Sequence, residues 1–291
     1  MIAHLIDRAV IAVDGEGARP FLHNLLTQDV ESLAPGEMRY AALLTPQGRL
    51  LHDMLLLGTE SGVLIDVAAS ARDDLVRRLT LYRLRVKVTI AADSMQVYAR
   101  LPSPPSGGAG GGGLSPPRDS SLQPPPTPTP PLEGEGLWMW DPRLPGLGER
   151  LLSAAPQQHD ATPDAYDAHR VALGVPDAAR DGLHDRAYPI EANLDLLHGI
   201  DFKKGCFVGQ ETTSRMHRRG TVKTRLLPLS VEGATAGAEV LAGTLRAGEV
   251  TYAREEIALA LLRLDRLVGA VLTVDRRPAG VLTPVWFPVA A

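Results

Sequence analysis

The chain has 291 residues, 44% of them hydrophobic and 22% charged, which is enough for two or three domains with cores of their own. A net charge of −4 and a pI near 6.1 argue against nucleic acid or an anionic membrane as a direct partner, and a single cysteine excludes a disulfide scaffold and fits a reducing compartment. No apolar run approaches the roughly 20 residues of a membrane span. Asp7 and Arg8 interrupt the N-terminal stretch where a secretory signal needs an unbroken apolar region, so the default expectation is a cytoplasmic protein.

Leu5 to Gly15 alternates apolar and polar positions as a half-buried strand does. Glu16 to Leu26 reads as a helix, with Gly17 and Pro20 near its start. Leu43 to Thr45 and Leu50 to Leu57 read as strands joined by a turn at Pro46 to Gly48, and Gly62 to Val67 as another strand. Ala71 to Leu81 follows as a helix with Leu75, Val76 and Leu79 on one face. Leu84 to Ile90 is β-branched and alternating, hence a strand, and the two-residue period puts Arg83, Arg85 and Lys87 on one side of it. Residues 102–136 hold 11 prolines and 8 glycines among 35 residues, too little apolar surface to offset the entropy of ordering them, so they read as a disordered insertion.

Beyond it, Leu137 to Trp140 resumes as a short strand. Thr162 to Leu173 reads as a helix, capped by Thr162, with Pro163 in the first helical position and Gly174 after its end. From Arg225 onward, short strands alternate with Gly-rich turns: Leu226 to Val231, Glu239 to Leu241, Gly248 to Thr251, Ile257 to Arg263, Val271 to Val274 and Val281 to Trp286. That spacing suggests a small β-barrel or sandwich.

The densest chemistry lies in KKGCFVGQE, Lys203 to Glu211, around the lone Cys206. Buried cysteine as a small hydrophobe is the ordinary reading. Here Lys203 and Lys204 precede the thiol and Arg215, Arg218 and Arg219 follow it, and nearby positive charge favours the thiolate, the form that attacks or ligates. Gly205 and Gly209 would permit positive φ or close approach of a ligand. One cysteine cannot hold an iron-sulfur cluster alone, and no Cys-x-x-Cys or His-x-x-x-His spacing offers zinc. As a nucleophile it has no local base in sequence; His217, eleven residues on, could return in space.

KGCFVGQET, preceded by EANLDLLHGIDF and followed by SRMHRRGTVKTRL, resembles the signature of the YgfZ-type folate-binding proteins, which act in iron-sulfur assembly and are related to the aminomethyltransferase (T-protein) of the glycine cleavage system. FLHNLLTQDV, YAALLTPQGRLLHDMLL, YRLRVKV, DPRLPGLGER, YDAHRVALGVPD and GEVTYAREEIALALLRLDR resemble the rest of the family pattern in order, so the resemblance covers nearly everything except 102–136. It implies an α+β, T-protein-like fold: an N-terminal module over 1–101, a second module over 137–220 carrying the cysteine loop, both around a central channel, and a C-terminal β-barrel over 221–291.

The implied function is folate-dependent assembly or repair of four-iron clusters in client enzymes, with tRNA modification supported indirectly. Cys206 would be a transient cluster ligand or redox thiol, and an A-type carrier or a glutaredoxin the partner. Tetrahydrofolate or a derivative would be the bound cofactor, with Asp53, Lys204, Gly205, Gln210, Glu211 and Arg215 as binding residues. The alternative is a folate-dependent aminomethyltransferase-like one-carbon transferase. Against it, the acidic pair of T-proteins reads His52-Asp53 here, and RVALGVP lacks their folate-clamping acidic residue.

Overall fold

The computed structural model describes residues 1–102, 137–220 and 222–288. In chain order the first part contains β1 (Ile2–His4), β2 (Arg8–Asp14), α1 (Ala18–His23), β3 (Met38–Leu44), β4 (Leu50–Gly58), β5 (Gly62–Ala68), α2 (Arg72–Arg83), β6 (Thr89–Asp93) and β7 (Gln96–Arg100). Next come β8 (Met139–Trp140), β9 (Glu149–Ser153), α3 (Pro163–Ala172) and α4 (Gln210–Arg219). The last stretch is β10 (Thr224–Ser230), β11 (Glu239–Ala242), β12 (Leu245–Arg254), β13 (Ile257–Arg263), β14 (Leu272–Val274) and β15 (Arg277–Val281).

These strands make three sheets. A five-stranded antiparallel sheet runs β3-β4-β5-β2-β6, a four-stranded sheet runs β1-β7-β9-β8, and β10-β13-β12-β11-β14-β15 closes into a barrel. Strands on either side of the Pro/Gly-rich stretch, β7 and β9, pair with each other, so segments assigned to two modules from sequence share one sheet. The expected insertion lies, beyond Pro102, outside the described residues.

The five-stranded sheet is covered on both faces, which is why β4 reads as a nearly continuous apolar run. On one side Leu22, Leu26, Leu75 and Leu79 of the α1 and α2 region pack onto Ile11 and Ile65. On the other, Tyr40, Leu50 and Leu55 meet Leu183, Ile190 and Leu194. Those last residues belong to a long run between α3 and α4 that contains no helix or strand among the described residues. Its backbone bonds tie sheet to barrel: Leu50 N–H donates to Ala187 O (2.9 Å), Leu226 N–H to Glu191 O (2.8 Å), and Asp201 N–H to Thr27 O (3.0 Å). Asn193 turns there at φ +63°, and its side-chain amide donates to Leu226 O (2.6 Å).

α3 begins as its capping pattern predicts, with Ala165 N–H donating to Thr162 Oγ1 (3.1 Å). Two expected strands are corrected. Residues 84–88 are not a strand: α2 continues to Arg83, Leu84 turns at φ +47°, and pairing starts at Thr89. The cause lies in the partner, because β2 ends at Asp14 opposite Thr89 and offers nothing to pair with earlier residues. Arg83, Arg85 and Lys87 therefore share no strand face. At the C-terminus β15 ends at Val281, where a strand was expected to start; Pro284 follows, and Trp286 Nε1–H donates to Leu173 O (2.8 Å).

Where the two sheets, α3 and the barrel meet, the interior is charged. Arg8 Nε donates to Asp66 Oδ1 (2.7 Å), and its Nη1 lies 3.5 Å from Asp177 Oδ2. Arg143 and Arg150 share Asp141 and both donate to Tyr166 Oη (2.8 and 2.6 Å). Arg170 donates to Asp167 (2.8 Å) and to both oxygens of Asp181 (2.9 and 2.8 Å). No helix among the described residues is long and apolar enough to cross a membrane.

Breaking one end of such a pair strands the other charge in the interior. Arg170→Met is expected to cost about 3–5 kcal/mol in urea unfolding, and a cost under about 1 kcal/mol would mean the pairing is dispensable. Burial works against ionisation of Asp141, but Arg143, and behind it Arg150, outweigh that and bring its pKa from 3.8 to about 2. Its contribution is present in full above 3.8 and is lost as pH falls toward 2, so Asp141→Asn should flatten the acid limb of the stability curve.

Candidate functional site

The cysteine loop hangs between three anchors. The first is a backbone contact between two glycines. Gly48, in the β3–β4 turn, has φ +86°, and Gly209, just before α4, has φ +78°. A Cβ on Gly209 would sit 2.5 Å from Thr45 O and 2.9 Å from Gly48 Cα; one on Gly48 would sit 3.0 Å from Gly209 O. Neither position accepts a side chain without moving backbone. Gly205 differs, since a Cβ there would meet only His23 Nε2 at 3.9 Å and its φ is not positive.

The second anchor is Asp201, whose Oδ1 accepts the backbone N–H groups of Lys203 (2.7 Å) and Lys204 (3.2 Å). The third is the Lys204 ammonium, which donates to His23 O and to Leu26 O (2.7 Å) at the C-terminal end of α1, where carbonyls and the helix dipole favour a cation. It also lies 5.2 Å from the Phe207 ring centre. Burial lowers its pKa to about 8, against the pull of Asp29, Asp201 and Glu31 and of Cys206.

Cys206 itself is exposed, and its thiol makes no hydrogen bond among the described residues. His217 does return toward the loop, but it stacks on Phe202 with ring centres 3.7 Å apart instead of meeting the sulfur. No group of three or more His, Cys, Asp or Glu side chains among the described residues could hold a metal ion. The loop is therefore anchored and its thiol exposed, outside any group of three or more potential metal ligands among the described residues.

The other predicted binding residues do not converge on one space. Gln210 Oε1 accepts Phe207 N–H (3.3 Å), which ties the start of α4 to its own loop. Glu211 and Arg215 are exposed, and Glu211 has no ion pair with Lys203, Lys204 or Arg215 among the described residues. Glu211 in the first turn and His217, Arg218 and Arg219 in the last complement the dipole of α4.

Asp53 lies elsewhere and is buried. Tyr40 Oη–H donates to its Oδ2 (3.0 Å) and Ala178 N–H to its Oδ1 (2.9 Å). Burial first, and Asp177 next, raise its pKa; Asp177 itself is lowered, since Arg170 and Arg8 overcome its own burial. His52 points to the opposite face of β4, as the two-residue period requires, where Nε2 bonds Asp74 Oδ2 of α2 (2.8 Å). Adjacent in sequence, the two side chains never meet.

Beside the loop is a cavity of about 380 Å³, lined by Gln28, Asp29, Arg39, Tyr40, His198 and Asp201 among others. Of these, sequence reasoning raises Tyr40 alone, as one of several aromatics that could stack on a pterin but more often serve as core, and Tyr40 is buried; Gln28 and Asp29 sit in the FLHNLLTQDV stretch. Thr27 locks the cavity wall, its hydroxyl donating to Gly199 O (2.6 Å) and accepting Ala42 N–H (2.8 Å). Arg39 is already committed, donating to Glu37 (2.7 Å), Asp29 O (2.7 Å) and Ser32 Oγ (2.9 Å). Asp201 Oδ2 has no hydrogen-bond partner among the described residues, and the imidazole of His198, at φ +60°, stands exposed at the rim.

The volume lies at the low end of the roughly 300–1,000 Å³ of small-molecule sites. Asp201 contributes a carboxylate oxygen without a hydrogen-bond partner among the described residues, whereas the Tyr40 side chain is buried. The six residues expected to bind folate do not line it, and Asp53 sits behind Tyr40, its oxygens engaged.

Three comparisons place this geometry. A family model of the C-terminal β-barrel domain of CAF17 matches residues 223–289. The human mitochondrial iron-sulfur cluster assembly factor IBA57 is 31% identical over 98% of this chain and 84% of its own length, and the mouse protein 29% identical with the same coverage. A Neurospora crassa homologue of the same name is 31% identical over 80% of this chain, which spans 54% of that protein. The aminomethyltransferase of the glycine cleavage system from Bartonella henselae superposes with a TM-score of 0.74 over 99% of this chain and 86% of its own, at 16% identity, a likeness of fold alone. The expected T-protein-like fold with a C-terminal barrel is thus observed. The expected cytoplasmic location is overturned, because these relatives are named as mitochondrial. A lone cysteine marks a reducing environment without saying which one.

Gly209→Ala should destabilise the fold by about 2–4 kcal/mol, since it adds a clash to a left-handed backbone; thermal unfolding within about 0.5 kcal/mol of the parent would refute the glycine lock. Lys204 holds fewer protons folded than unfolded between about 8 and 10.5. The parent should therefore gain stability over that range relative to Lys204→Met. A pH-independent difference would contradict the lowered pKa.

Proposed function

The chain belongs to the IBA57 family of iron-sulfur cluster assembly factors, and on that premise we propose that it acts as a YgfZ-type, folate-dependent factor that assembles or repairs four-iron clusters in client enzymes. The observation that carries the reading is the state of Cys206: exposed, on a loop held by three anchors, and outside any group of three or more potential metal ligands among the described residues. A resident cluster needs more thiolates. A shared ligand needs only one sulfur on the surface, held where a partner can reach it.

In that role the cluster is cargo. A bond from Cys206 Sγ to iron forms as a bond from iron to one of the carrier's ligands breaks, and the thiol proton leaves to solvent. The exchange transfers no electron. Lys204, whose ammonium sits at the end of α1 beside the loop, supplies positive charge that offsets the negative charge of a thiolate-ligated cluster. An A-type carrier or a glutaredoxin is the proposed partner, with four-iron dehydratases and radical tRNA-modifying enzymes as clients, so effects on tRNA modification would be indirect.

A reduced folate is proposed to lodge with its pterin head in the cavity beside the loop. Asp201 Oδ2 is the acceptor for its ring N–H groups. When bound, the folate would supply a ring that can be oxidised and reduced. Nothing favours the one-carbon transferase, for Asp53 is buried with both oxygens engaged.

The test is a strain lacking the gene, complemented with the parent or Cys206→Ala, in which the activity of a four-iron dehydratase is measured. Rescue by the parent alone is expected. Equal rescue by Cys206→Ala would remove the thiol from cluster handling.

A further inference from the structure

The loop after α2 carries two costs at one residue. Leu84 is 85% exposed and sits at φ +47°, a conformation that bulky residues avoid. Leu81 is 65% exposed, and Tyr82 and Val86 are also open to solvent. Scattered exposed leucines are ordinary, but a contiguous cluster marks a contact surface. Leu84, Arg85 and Val86 line an open hollow of about 710 Å³.

Cations without an ion pair among the described residues accompany this surface, as they do at Arg218, Lys223 and Arg276 elsewhere on the chain. Many of its surface arginines find carboxylates: Arg77 and Arg78 pair with Asp74, and Arg246 pairs with Glu239 and Glu249. Arg85 and Lys87 on the loop, Lys203 beside Cys206, and Arg215 on α4 are exposed and have no ion pair among the described residues.

The loop and the thiol lie at opposite ends of the same short helix. A Cβ on Gly17, just before α1, would meet Val86 Cγ1 at 2.8 Å, and at the other end of α1 Lys204 holds His23 O and Leu26 O. Six helical residues span about 9 Å. A stable interface covers about 800 Å² per partner, a disc of roughly 16 Å radius. A footprint of that size centred on Cys206 exceeds the length of α1.

We infer that the Leu84 loop and the unpaired cations around it are the docking surface for the cluster-carrying protein that meets Cys206. This inference rests on the reading of Cys206 given above. The partner it fits has an apolar centre, to cover Leu81, Leu84 and Val86, and an acidic rim, to meet Arg85, Lys87, Lys203 and Arg215. A lipid surface would also accept apolar and basic side chains, but it would bring no ligand to Cys206, and the net charge of −4 opposes an anionic bilayer.

The test uses the full chain and, as probe, a purified A-type carrier loaded with its cluster. Binding is measured at low and moderate salt, and cluster uptake by visible absorbance. Leu84→Ser and the double variant Arg85→Glu/Lys87→Glu change exposed side chains only. Each should raise Kd by about tenfold or more, and the charge reversal should also flatten the salt dependence. Cys206→Ala should still bind the carrier and fail to share the cluster. If both loop variants bind like the parent while Cys206→Ala fails to share, the docking surface falls and the role of the thiol stands. If Cys206→Ala shares the cluster normally, that role falls instead. No complex between parent and loaded carrier overturns both. Parent binding to phosphatidylglycerol vesicles that Leu84→Ser abolishes, with carrier binding unchanged, would overturn the inference in favour of lipid.

Discussion

A chain of arginines and aspartates runs through the middle of this molecule, and the relative placement of its parts depends on it. Arg8 of β2 reaches Asp66 of β5 and Asp177. Arg150 of β9 faces the same Asp66 at 3.6 Å and Asp141 at 3.3 Å. Arg170 of α3 holds Asp167 and Asp181, and Arg254 of the barrel approaches Asp167 at 3.7 Å. Each of the two sheets, α3 and the barrel contributes at least one charge. Buried ion pairs add little net stability over apolar packing of the same volume, but an unmatched one is costly. The network therefore penalises any arrangement in which one part slips against another. The chain leaves it at Asp181 and runs through the buried turns around Leu183, Ile190 and Leu194 to Thr27 and then to the cysteine loop. The position of Cys206 is inherited from that route.

At the loop, polar side chains that looked like ligand-binding groups serve the backbone. Asp201 takes two N–H groups, Lys204 caps the end of α1, and Gln210 closes on Phe207. Gly48 and Gly209 press the hairpin turn against the start of α4. The result is an anchored loop with an exposed sulfur, as the proposed ligand exchange with a docked partner requires. The cavity between Tyr40, Asp29 and Asp201 shares Asp201 with this loop.

Much of the fold was legible because local chemistry and tertiary context agreed. Thr162, Pro163 and Gly174 bounded α3 correctly, the Pro46–Gly48 turn formed where expected, and most barrel strands overlapped their predicted spans. The failures share a cause that one segment cannot reveal. The alternation at 84–88 is real, but no strand lies opposite it once β2 has ended at Asp14. β15 forms over Arg277–Val281 despite Pro278 and Gly280, because barrel closure needs a strand between β14 and β10. Of the site, Cys206 was visible as the only thiol in a basic setting. The binding set around it was not: His52 and Asp53 diverge to opposite faces of β4, and the cavity is assembled from residues up to 173 positions apart, Gln28 and Asp201 among them, that only the turns between α3 and α4 bring together.

The central claim is that Cys206 ligates a cluster it shares with a partner. Selenocysteine placed at position 206 and X-ray absorption at the selenium edge, recorded on the complex with a cluster-loaded carrier, test it at the atom concerned. A selenium–iron shell that appears only in the loaded complex is predicted. Selenium with carbon neighbours alone, in a complex that has formed and kept its cluster, would contradict the account.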